Sequence, residues 1–105
     1  MELFEYLNGA VTPYHAVELG AEFLTKTGFT EQKLEEPFDV ERGKGYFIRV
    51  YGTGLVAYTV GGKFKAEDAL HLAVAHTDAP CLRVKPVAEL LSGEYKRLDV
   101  EVYGG

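Results

Sequence analysis

The eight residues Ala69–His76, "ALHLAVAH", constrain the fold more than any other stretch of the chain. They are apolar almost throughout and lack the alternation of a strand with one wet face. Such a run predicts a β-strand covered on both faces. A covered strand needs a packed layer against each side. The rest of the chain offers helices for only one of them.

Those helices come first. Leu3, Phe4 and Leu7 form one helical stripe, ended by Asn8-Gly9. A second, better-marked helix follows. Thr12 is its cap, Pro13 its first residue and Gly28 its left-handed stop. Ala16, Val17, Leu19, Ala21, Phe23 and Leu24 make a broad apolar face, with Glu18, Glu22 and Lys26 opposite. Residues 30–44 are polar and read as a connection, with a short strand at Phe38–Val40.

From Gly45 the pattern becomes that of strands. "YFIRVY" (46–51) and "LVAYTV" (55–60) flank "GTG" and predict a hairpin with a three-residue, glycine-containing loop. "GGK" (61–63) turns into the 69–76 strand. "CLRVKPV" (81–87) and "RLDVEVYGG" (97–105) are two more strands, separated by a turn at 92–95. The expectation is an α/β fold: two N-terminal helices followed by a mixed β-sheet of about five strands. With one face of 69–76 uncovered, residues 1–105 read as a single partial domain, the opening part of a larger α/β domain.

Composition narrows the function classes. The 105 residues carry a net charge of −5, which argues against nucleic acid or an anionic membrane as main partner. No stretch approaches the ~20 apolar residues that span a bilayer, and "MELFEYLNG" lacks the basic start of a secretory signal. A single cysteine, Cys81, permits no internal disulfide. Together these features read as a cytoplasmic chain.

The 69–76 run ends in a histidine, and Asp78 follows two residues later. On an extended strand both side chains share a face. They also sit at the carboxyl end of the strand, where open α/β sheets bind ligands. An imidazole can hold Zn²⁺ through one nitrogen while a nearby carboxylate orients it. His-x-Asp alone is nevertheless weak, and on spacing alone a plain strand end is the better reading. His71 falls on the opposite face from His76 and reads as a packed residue. His15 belongs to the start of the second helix, Cys81 reads as a small buried hydrophobe, and Arg83 and Lys85 as a solvated strand face. A catalytic zinc takes about three protein ligands, so this chain does not supply a complete centre.

Longer patterns point further. "AHTDAPCLRVKP" (75–86) closely resembles the segment around the first metal ligand of the aspartyl aminopeptidases, cytosolic zinc metallopeptidases. "TPYHAV" (12–17), "GF" (28–29), "GKGYFIRVYGTGLVAYTVGGKF" (43–64) and "VEVYGG" (100–105) are similar to the same family in the same order. Ala79 stands where a serine is common, and Phe64 where tryptophan is expected. The resemblance implies a hydrolase that removes one residue from a peptide N-terminus, Asp or Glu preferred. It implies that His76 is a zinc ligand of a two-metal site and that Asp78 gives that site its acidic, catalytic support. The remaining ligands and a glutamate base would then lie beyond Gly105. Such subunits assemble into large homo-oligomers. The alternative is a non-enzymatic module that self-associates or docks on another chain through its uncovered sheet.

Overall fold

The computed structural model describes residues 2–104. Helix α1 spans Leu3–Gly9 and α2 spans Pro13–Lys26. Strands β1 (Thr30–Glu31), β2 (Gly45–Val50) and β3 (Gly54–Thr59) form one sheet, with β2 parallel to β1 and antiparallel to β3. Strands β4 (Cys81–Ser92) and β5 (Tyr95–Tyr103) form a separate antiparallel hairpin. The α/β class is as expected. The expected single sheet is two sheets.

Helix α2 forms where its signals stand. The Thr12 side chain accepts from the His15 backbone N–H, and Pro13 opens the first turn. The His15 ring lies 2.7 Å from the Thr12 hydroxyl, the local role expected of it. The helix ends at Lys26, and Gly28 takes φ +88°, the left-handed geometry that glycine adopts without strain.

The core lies where α2 meets the middle strand of the first sheet. Its buried apolar residues are Ala16, Val17 and Ala21 from the helix and Tyr46, Phe47 and Ile48 from β2. Phe47 faces α2, on the same side as Leu55, whose Cδ2 would lie 2.7 Å from a Cβ at Gly20. Arg49 on that side reaches Glu18 of the helix at 3.5 Å and Glu31 at 3.4 Å. On the other side the Tyr46 ring stacks on Tyr58 with centroids 5.5 Å apart. The 30–44 connection wraps this side. Glu41 N–H donates to the Tyr46 hydroxyl at 2.8 Å, and the Tyr58 hydroxyl donates to Gln32. The strand covered on both faces is therefore β2.

Residues 69–76 are not a strand. Leu70, Leu72 and Val74 are 85%, 87% and 84% exposed, and the segment runs as irregular chain after turns at Gly61–Phe64 and Lys65–Asp68. Hydropathy marked a segment that shuns water, but a strand also needs neighbours for its N–H and C=O groups. Among the described residues no strand pairs with 69–76. Phe38–Val40 is likewise irregular; β1 instead forms at Thr30–Glu31, where the chain leaves α2 alongside β2.

The β2–β3 loop comprises Tyr51, Gly52 and Thr53, three residues as expected but one position earlier. The β4–β5 hairpin is longer than its sequence signals and turns at Gly93-Glu94. Gly105, the expected last residue of the final strand, lies outside the described residues. Pairing slips between Val84 and Glu89, around Pro86, which has no N–H to give a ladder. The hairpin packs on no other helix or strand among the described residues, and the chain extends 69 Å along its longest axis. Its radius of gyration is 19.5 Å, against about 13 Å for a compact chain of this length.

Candidate metal-binding loop

Residues 76–80 connect the irregular 69–75 segment to β4. Three anchors fix this loop. The Thr77 hydroxyl donates to the Thr53 carbonyl at the tip of the β2–β3 hairpin, 2.8 Å away. The Tyr103 hydroxyl, at the end of β5, donates to Asp78 Oδ2 at 2.7 Å. Gly104 passes so close to Pro80 that a Cβ there would lie 2.8 Å from the proline Cα, and its φ is +94°. Both reasons demand glycine. One sheet thus holds the loop at Thr77 and the other at Asp78 and Pro80.

The loop brings His76 and Asp78 together. His76 Nδ1 lies 2.8 Å from the Asp78 carbonyl oxygen and 3.0 Å from Asp78 Oδ1. The expectation that they meet holds, but the geometry is a bend at Thr77 rather than one face of a strand. Both oxygens are acceptors, so Nδ1 carries the proton. In the neutral ring Nε2 then holds the free lone pair, and the imidazole is 81% exposed. That is the donor chemistry a histidine ligand requires.

Asp78 is held below the usual carboxylate range. The Tyr103 hydrogen bond is the main cause, followed by its own backbone N–H, with His76 adding less and burial opposing. Tyr103 is pushed up in turn, chiefly by its bond to Asp78 and the adjacent negative charge. The Arg83 guanidinium stacks over the Tyr103 ring, 3.3 Å from its centroid.

The other sequence candidates fall away from this cluster. His71 is exposed in the irregular segment, so the face argument that separated it from His76 does not apply. Cys81 is exposed rather than buried, because among the described residues no other helix or strand than β5 packs on β4. Lys85 pairs with Asp99 at 3.0 Å across the hairpin, and Arg83 is taken up by Tyr103. No group of three or more His, Cys, Asp or Glu side chains that could hold a metal occurs among the described residues. Sequence reasoning missed Tyr103 and Thr77, one distant in sequence and one inside the motif. Only the closing strand β5 and the β2–β3 turn reveal their partners.

Residues 6–105 match the family described as Aminopeptidase I zinc metalloprotease (M18). The chain belongs to this family. It is 38% identical over 104 residues to an aspartyl aminopeptidase of Caenorhabditis elegans, covering 99% of this chain and 22% of that protein. It is 42% identical over 103 residues to a probable M18 family aminopeptidase 2 of Stutzerimonas stutzeri (strain A1501), covering 98% of this chain and 24% of that protein. In three dimensions it superimposes on a chain of a cryo-EM structure of an Ape4 and Nbr1 complex with a TM-score of 0.86 at 32% identity. That match covers 96% of this chain and 20% of the other. A structure of Chaetomium thermophilum mApe1 gives 0.84 at 26% identity, covering 94% and 23%. The chain thus spans between a fifth and a quarter of the length of these M18 relatives.

Among the described residues no helix is long and apolar enough to cross a membrane.

Proposed function

We propose that this chain is the N-terminal portion of a zinc-dependent aminopeptidase that hydrolyses the first residue, Asp or Glu, from peptides. The observation that carries the reading is the contact of His76 Nδ1 with two Asp78 oxygens, at 2.8 and 3.0 Å, within a chain that belongs to a zinc metalloprotease family. His76 presents Nε2 as one metal ligand of a two-metal site. Asp78 keeps the ring oriented and makes it a stronger electron donor. Zinc in such a site acts as a Lewis acid toward the scissile carbonyl and makes water a usable nucleophile near neutral pH. The other ligands and the general base come from beyond Gly105, so the 105 residues alone are inactive. The whole protein is cytoplasmic and assembles with copies of itself.

The second reading, a non-enzymatic module that self-associates or docks on another chain, draws support from the exposed Leu82, Val84, Val87, Leu91, Leu98 and Val102 of the hairpin.

A chimera separates the two. This chain replaces the matching segment of the Caenorhabditis elegans aspartyl aminopeptidase, and zinc content and hydrolysis of aspartyl and leucyl anilides are measured. The expected result is an active, zinc-loaded chimera whose His76→Ala variant loses zinc and falls to background. A folded chimera inactive in both forms favours the module. Full zinc and activity in His76→Ala removes His76 from the site, and robust turnover by the 105-residue chain alone refutes its incompleteness.

A further inference from the structure

We propose that Tyr103 is a positioning residue. Its hydroxyl locks the Asp78 carboxylate, so that the second carboxylate oxygen holds the proton on His76 Nδ1 and keeps Nε2 free. The consequence for metal binding rests on the reading of His76 as a ligand. The positioning itself does not.

The geometry divides the carboxylate between two donors. Oδ2 accepts from the Tyr103 hydroxyl at 2.7 Å, and Oδ1 faces His76 Nδ1 at 3.0 Å. A carboxylate held at one oxygen cannot turn freely about its Cβ–Cγ bond, so its other oxygen keeps a fixed direction. Tyr103 is itself fixed in two ways. Its backbone pairs with Cys81, the first residue of β4, at the end of the hairpin nearest the loop. Its ring lies under the guanidinium of Arg83, two residues further along β4 on the same face. The closing strand thereby reaches back 25 residues to set the orientation of the loop. Asp78 also accepts from its own backbone, but among the described residues only Tyr103 links it to a different element.

The competing possibility is that the Asp78 backbone carbonyl, 2.8 Å from the same Nδ1, fixes the ring unaided. The Tyr103→Phe variant decides between them, because it keeps the ring under Arg83 and removes only the hydroxyl. The first measurement is the His76 tautomer in the chimera stripped of metal. It is read from the ring ¹⁵N shifts at a pH well above the imidazole range. Wild type is expected almost wholly as the Nδ1–H form. Tyr103→Phe should move His76 toward the mixture of both tautomers of a free imidazole. Asp78→Asn serves as a second variant, and adding Tyr103→Phe to it should shift the tautomer no further, since both act through one carboxylate. The second measurement is zinc affinity in the chimera, expected to fall about 10- to 100-fold in Tyr103→Phe. An unchanged tautomer in Tyr103→Phe, or equal additive shifts in the double variant, overturns the proposal. If Tyr103→Phe shifts the tautomer while His76→Ala leaves zinc binding intact, the metal-site reading fails and the positioning role stands.

Discussion

Phe47→Ala tests whether this chain is two folding units joined by the irregular 60–80 segment. Phe47 is fully buried at the centre of β2, paired to Glu31 on one side and Ala57 on the other, with its ring against α2. Truncating a buried phenylalanine costs about 3–5 kcal/mol, from lost transfer energy and the cavity left behind. Among the described residues the buried apolar core consists of six, three of them alanine or valine on α2. A body this small sits near the low end of the ~5–15 kcal/mol that folded domains possess. The substitution therefore consumes most or all of its stability. At a urea dependence of about 1 kcal/mol/M for a small unit, the midpoint should fall by about 3 M or more. Urea titration followed by circular dichroism measures this. Amide hydrogen exchange adds the sharper test. Amides of α2 and β1–β3 should lose protection together. Those of β4–β5 should show the same weak protection in both proteins, because the hairpin packs on no element of the body and two strands alone are only marginally stable. A midpoint shift below about 1 M would refute the core assignment. Loss of hairpin protection in step with the body would refute the two-unit reasoning.

Two further outcomes follow from single hydrogen bonds. Thr77→Val removes the 2.8 Å bond to the Thr53 carbonyl at nearly constant volume, a net loss of about 0.5–1.5 kcal/mol in loop opening. Amides of residues 76–79 should exchange about 2- to 10-fold faster, Thr77→Ser should restore the wild-type rate, and equal rates in all three proteins would show that the bond does not hold the loop. Tyr58 is pushed above its ordinary value of 10.0, mainly by burial and then by Tyr46, with the Gln32 hydrogen bond opposing. A raised pKa means the folded state holds that proton more tightly than the unfolded one. Its contribution is complete below pH 10.0 and is lost as pH rises through the raised value. Denaturation of wild type and Tyr58→Phe between about pH 9 and 11 should show a shallower alkaline decline in the variant; superimposable limbs would remove Tyr58 from the account.

Local rules carried much of the fold into the sequence. The Thr12 cap and Pro13 start α2 because they satisfy or forgo the amides that a first turn leaves unpaired, and no distant residue is needed for that. The 46–60 hairpin was legible for the same reason, since its loop joins strands adjacent in sequence. The M18 family was legible because ordered short matches run along nearly the whole chain. Tertiary structure decided the rest. Residues 69–76 have the hydropathy of a buried strand, yet backbone pairing is a property of two segments and cannot be read from one. The covered position went to β2, which has α2 on one side and the 30–44 connection on the other. At the candidate site, His76 and Asp78 were visible as a pair, but the bend that joins them, and the Thr53 and Tyr103 contacts that fix it, were not. Those partners lie 24 and 25 residues away in sequence. Spacing along a chain determines which side chains share a strand face or a helix turn. Only the closure of the chain on itself decides which distant hydroxyl meets which carboxylate.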